Sequence, residues 1–227
     1  AAKSRQEFAA LTGLVSRGYA VVIGHGTRDA CGFSSDVRDG NCWPTDDEAA
    51  MKTLVDGWEQ ALWQVTALLE GEMHPRYVVA FREGAGFVLR LTSHSFLGTG
   101  ATAPGMLHID GVALIGLPPE HAVPHLASPM PLAVVEEESR QSTQLKDELG
   151  RAKWTHAHCN RTTSAFSGGD AETAVSVLVE LAPPVAPPPP PPAATKGKKG
   201  KTPPPPPPVL KPAPPPRQVR TAGCVLE

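Results

Sequence analysis

Arg76-Tyr77-Val78-Val79-Ala80-Phe81-Arg82-Glu83-Gly84-Ala85-Gly86-Phe87-Val88-Leu89-Arg90-Leu91-Thr92 is the stretch on which the fold turns. Arg76 to Phe81 and Phe87 to Thr92 are short runs rich in β-branched, leucine and aromatic residues, which reads as strand. Between them Gly84 and Gly86 can take the positive φ of a tight reversal. The expectation is a β-hairpin.

Working outward, Tyr19 to Ile23 is a short apolar run closed by Gly24, expected to be a buried strand, and Gly24 to Pro44 is rich in Gly, Ser, Asp and Asn and reads as a loop. Thr45-Asp46-Asp47-Glu48 has the form of a capping box, in which the Thr hydroxyl and the Glu carboxylate satisfy free backbone N–H groups. Met51, Leu54, Val55, Trp58, Ala61, Leu62, Val65, Leu68 and Leu69 follow at helical spacing, so an amphipathic helix runs to Glu70 and stops at Gly71. In the other direction Leu107 to Leu117 is a strand candidate interrupted by Gly111, and six of the eight prolines before residue 183 crowd between Pro104 and Pro131. Val134 to Leu149 reads as a second helix, with Glu136, Glu137 and Glu138 in a first turn where the macrodipole favours acids. Ala174 to Leu181 reads as the last strand. The order β-α-β-β-β-α-β implies one small α+β (or α/β) domain over residues 1–182, with a mixed sheet and two helices.

Residues 183–227 are of another kind. They hold 18 of the 26 prolines and none of the aromatic residues, which predicts a disordered tail. Their seven Lys and Arg against Glu227 give a net +6, leaving −8 on residues 1–182. An acidic body without clustered Lys and Arg argues against nucleic acid as partner. No run of 18 apolar residues offers a membrane span. Cys31, Cys42, Cys159 and Cys224 form no CxxC pair and no dense framework, which points to a reducing, cytoplasmic setting, with cytoskeletal or ciliary association suggested by composition. Asn160-Arg161-Thr162 is a glycosylation sequon that matters only if the chain is secreted. Ala1 in place of Met is compatible with a fragment or a processed product, so the lack of a signal peptide carries no information.

Val21-Val22-Ile23-Gly24-His25-Gly26-Thr27-Arg28-Asp29 places an imidazole at the end of a strand, between glycines that admit close approach. Tyr19 to Asp29 resembles the N-terminal motif of sirohydrochlorin-type class II chelatases, and Tyr77 to Glu83 is similar to that family's second strand. The resemblance implies a divalent transition metal as cargo, His25 as first ligand, and His94 or His108 in the place of the second histidine. Without it no cofactor is expected. His156-Ala157-His158-Cys159 has ligand types suited to zinc, copper or nickel, and is expected to be a surface loop. His121 and His125 are separated by Pro124 and are set aside. Gly-x-Ser-x-Gly, the P-loop and the dinucleotide pattern are absent, so no catalytic residue is assigned.

The tail carries the clearest binding signal. Pro187 to Pro192 and Pro203 to Pro208 are six-proline runs, each held in polyproline II over roughly 19 Å because proline fixes φ and removes the N–H. Pro212-Ala213-Pro214-Pro215-Pro216-Arg217 fits P-x-x-P-x-R, in which Pro212 and Pro215 fill adjacent aromatic slots and Arg217 reaches an acidic pocket. The partners expected are SH3, WW and profilin-like modules, with Pro203 to Pro208 serving the last. Lys196, Lys198, Lys199 and Lys201 form a cationic hinge suited to an acidic filament or lipid surface. Cys224-Val225-Leu226-Glu227 has the shape of a prenylation site at Cys224. The functional expectation is an interaction or scaffold protein, with a metal-handling enzyme as the alternative.

Overall fold

After Phe81 the chain does not turn back on itself. The computed structural model describes residues 11–26, 42–69, 75–99, 105–117, 130–137, 140–152, 154–161, 168–182, 221 and 223–226. In it Tyr77–Phe81 is a strand, β1, and Glu83–Ser93 is a helix. The expected hairpin is therefore replaced by a strand, a one-residue elbow and a helix. Phe87, Val88, Leu89 and Leu91 are all buried, along with Gly84 and Ala85. A run buried on every side shows neither a two-residue nor a 3.6-residue period, and only its neighbours decide between strand and helix.

The elements follow in this order: helix α1 (Glu48–Leu68), β1, helix α2 (Glu83–Ser93), β2 (Leu97–Gly98), β3 (Leu107–His108), β4 (Gly111–Ile115), β5 (Leu132–Glu137), helix α3 (Arg140–Arg151), β6 (His156–Arg161), helix α4 (Gly168–Leu181) and β7 (Cys224–Leu226). Two more sequence readings change. Val134 to Glu137 belong to strand β5, buried from Leu132 to Val135, rather than to a helix start, and α3 begins only at Arg140. Ala174 to Leu181 lie in a helix, whose buried Ala171, Ala174, Val175, Leu178 and Leu181 have 3- and 4-residue spacing. Five helical segments, not two, thus stand among the described residues, counting the short one at residues 11–16, and Tyr19 to Ile23 form no strand.

The fold class is helices on a mixed sheet. Its order is β1-β4-β5-β6-β7, with the first four strands parallel and β7 antiparallel to β6. Parallel strands need crossovers, and crossovers of one hand place successive helices on one face. Accordingly α1, α2 and α3 share a core with Val112, Leu114, Leu132 and Val134. On the other face, α4 and Leu14 pack on Ala113, Ile115, Ala133, Val135, Ala157 and Cys159. The alternation along β4 and β5 divides their side chains between these two layers, and both strands carry apolar residues on each face. Gly111 marks where β4 begins, because a Cβ there would stand 3.0 Å from Leu178 Cδ2 and 3.2 Å from the Pro131 carbonyl.

Helix α1 is capped by Asp47, not Thr45: the Asp47 carboxylate accepts from the Ala50 N–H at 3.0 Å. Its apolar stripe is buried at Met51 and Val55 and partly so at Leu54, Trp58 and Leu62, while Leu68 is 83% exposed. Trp43 stacks on Phe87 with ring centroids 4.9 Å apart, and Trp58 meets both edge-on at 6.2 and 6.3 Å. Gly24 passes so close to Trp58 that a Cβ would come within 2.8 Å of the ring. Trp58 thus fixes the residue before His25 against α1.

The chain divides into two units, Ala1–Ala182 with Gln218–Glu227, and Pro183–Arg217. The sequence assigns 183–227 to one tail, whereas Cys224–Leu226 form a strand of the main sheet. The tail motifs themselves, Lys196 to Lys201, Pro203 to Pro208 and Pro212 to Arg217, lie outside the described residues, as do Cys31, His121 and His125.

Candidate functional site

The carboxyl end of β6 and the foot of α4 hold both ends of the proline-rich segment. On the outgoing side, α4 ends at Leu181, and the Ala182 N–H donates to the Leu178 carbonyl at 2.8 Å. On the returning side, the Thr221 N–H donates to Glu180 Oε2 at 3.3 Å and its hydroxyl to Glu180 Oε1 at 3.1 Å. Two residues on, the Gly223 carbonyl accepts from the Asn160 N–H at 3.2 Å. Cys224, Val225 and Leu226 then pair with Cys159, His158 and Ala157, and a disulfide joins Cys159 to Cys224. Glu180 and Cys159 therefore hold Thr221 and Cys224 beside the edge from which the chain leaves at Ala182. Arg161 Nε binds Asp170 Oδ1 at 2.7 Å, with side chains 13% and 11% exposed, and so ties the end of β6 to the start of α4.

These pairings correct two expectations. Cys224 is not a thiol, and a disulfide sulfur has no thiolate for a prenyl group to alkylate. His156 to Cys159 is not a surface loop but buried strand, in which alternation sends His156 and His158 toward the α3 side and Ala157 and Cys159 toward α4. The two imidazoles meet edge-on at 5.8 Å, and His156 Nδ1 lies 3.1 Å from the Trp154 carbonyl. Because Cys159 points to the other face and is bonded, it cannot share a metal with them.

The histidines singled out for metal sit apart in role. His25 is exposed, near the end of the 19–26 segment, which forms neither helix nor strand. His94 ends α2, stacks on Phe96, and lies 4.0 Å from a Glu48 carboxylate oxygen. His108, in β3, lies 3.4 Å from Asp110, whose other oxygen accepts from the Arg76 N–H. Among the described residues no three His, Cys, Asp or Glu side chains are placed to hold one ion.

Two features of the carboxyl edge escaped the sequence reading. Arg82 joins β1 to α2 with φ 50° and ψ −120°, a strained value for a side chain other than glycine. Its N–H donates to the Ile115 carbonyl at 2.9 Å, and its carbonyl accepts from the Ala85 N–H at 2.8 Å. Ala80-Phe81-Arg82-Glu83-Gly84 repeats the small-x-nucleophile-x-small layout by which serine hydrolases present their nucleophile on a strand-to-helix turn. Here the tip is a guanidinium, which is always protonated and cannot attack. The signal was the pair of small residues two positions either side of Arg82. At the end of β5, burial pushes the Glu136 carboxyl up to about 7, partly opposed by Lys146 of α3. This group can therefore take or release a proton near neutrality.

Cys42 is also disulfide-bonded, and no described cysteine is free. Among the described residues no helix is long and apolar enough to cross a membrane. Comparison with family models, with characterised proteins and with solved structures returns no match.

Proposed function

We propose that this chain is an interaction module that displays its proline-rich segment as a loop anchored at both ends, in a compartment where disulfides persist. The return of the chain to the sheet, through Glu180, β7 and the Cys159–Cys224 bond, is the observation that carries the reading. Proline grooves read the side of a polyproline II helix and need no free terminus, so an anchored segment is as readable as a tail. Anchoring also removes part of the freedom that a partner must otherwise quench on binding. Pro212, Pro215 and Arg217 would supply the directional motif, Pro203 to Pro208 the uninterrupted run, and Lys196 to Lys201 a salt-sensitive contact with an acidic surface. Disulfides persist in oxidising compartments and are rare in the cytosol, which moves the proposed location away from the cytoplasm.

The test uses the full oxidised chain against a panel of SH3, WW and profilin-like modules, beside its Arg217→Ala and Pro215→Ala variants and a version with Pro203 to Pro208 replaced by Gly-Ser. Binding that falls at least tenfold in one or more variants supports the reading. Equal binding by all four proteins, or none, overturns it.

A further inference from the structure

We propose that Asn160 is an N-glycosylation site, placed at the foot of the proline-rich loop. The inference rests on the oxidising compartment of the proposed function, but on different residues from those that bind a partner.

Asn160-Arg161-Thr162 is an acceptor sequence. Its structural setting suits the modification residue by residue. Along β6, alternation directs Cys159 into the α4 layer and Arg161 onto Asp170, whereas Asn160 is exposed. The Asn160 backbone N–H is engaged by Gly223, which holds the strand while leaving the side chain outside the ladder. A sugar on Nδ2 would thus extend into solvent without displacing the core or the Arg161–Asp170 pair.

The position also has a use. The β7 strand covers β6 at Ala157, His158 and Cys159, and the Gly223 carbonyl extends that cover to the Asn160 N–H. Through Gly223 the same residue lies next to the returning end of residues 183–220, where a glycan would shield the junction from proteases.

The donor is a lipid-pyrophosphate-linked oligosaccharide of the secretory membrane. Asn160 Nδ2 forms a bond to sugar C1 as the C1–O bond to pyrophosphate breaks. The lipid pyrophosphate leaves, and the amide nitrogen loses one proton to a base of the transferase. No oxidant or reductant is consumed.

The test is secretion of the full chain behind a cleavable leader from a eukaryotic host, followed by intact mass measurement before and after peptide N-glycosidase. The expected result is one glycan, removed by the glycosidase, absent from Asn160→Gln and Thr162→Ala, and retained in Thr162→Ser. The Thr162 pair keeps the test valid if Asn160→Gln fails to fold. An unmodified Asn160 in secreted chain whose cysteines resist maleimide overturns the assignment and leaves the loop reading standing. Cysteines that all react with maleimide without reductant overturn the compartment premise, and the assignment with it.

Discussion

Replacing Cys159 and Cys224 together by alanine tests whether the covalent bond, rather than strand pairing, closes the loop. Alanine is chosen because Cys159 is buried, and serine would add the cost of burying a hydroxyl. The two cysteines are 65 residues apart, and closing a loop of that size restricts the unfolded chain by about 4 kcal/mol. The noncovalent account of the strap is close to balance. Ordering residue 221 and residues 223–226 costs about 1–2 kcal/mol each in backbone entropy. Against this stand the three-pair ladder and the contacts of Thr221 and Gly223, at about 1 kcal/mol net per hydrogen bond. With the two sides nearly cancelling, the disulfide decides whether β7 stays. The double variant should therefore release β7, with a loss in urea unfolding followed by tryptophan fluorescence of at most about 4 kcal/mol, the cost of closing the loop without the bond. The amide of Val225 should exchange hydrogen at the rate of an unprotected peptide. A loss below 1 kcal/mol with Val225 still protected would refute the reasoning, since the ladder would then hold without the bond.

Phe87→Ala empties the centre of the Trp43–Phe87–Trp58 cluster, and should cost about 3–5 kcal/mol in chemical denaturation; a cost under 1 kcal/mol would place the ring outside the core. Glu136→Gln should affect stability in a pH-dependent way. The folded state raises this carboxyl to about 7, so the penalty is absent below its ordinary pKa of 4.5, grows between the two values, and is complete above about 7. The full shift corresponds to at most about 3 kcal/mol, and partial solvent access reduces this to about 1–2 kcal/mol, the gain expected of the variant at pH 8.5 with no gain at pH 4.5. Equal gains at both pH values would show that burial does not raise the Glu136 pKa. Arg82→Gly relieves a positive φ and should raise stability by about 1 kcal/mol; a loss would mean that the guanidinium contributes more than the strain costs.

Much of the fold was written locally. The helix from Glu48 follows from its stripe and acidic start, and β1 from Tyr77 to Phe81, whereas the break in the Leu107 to Leu117 run falls at Ile109 and Asp110, with Gly111 already paired in β4. The helix at Gly168–Leu181 is not read from its sequence: Ala171, Ala174, Val175 and Leu178 carry the helical period, but the valine-rich run from Ala174 to Leu181 reads as strand. The metal candidates were legible only as residue types: whether His158 and Cys159 point the same way depends on strand alternation, which a segment read as a loop does not carry.

Composition and local pattern alone determined that residues 183–227 differ from what precedes them, that the body is acidic, and that helices accompany a sheet. Only the tertiary structure decided that Phe87 to Thr92 is helix, that Leu132 to Val135 is strand, and that Cys224 returns to Cys159. The physical reason is common to all three. An apolar run or a cysteine carries no directional information of its own, and its conformation or pairing is fixed by what packs against it: two buried layers for the runs, and for the cysteine a partner 65 residues away in sequence.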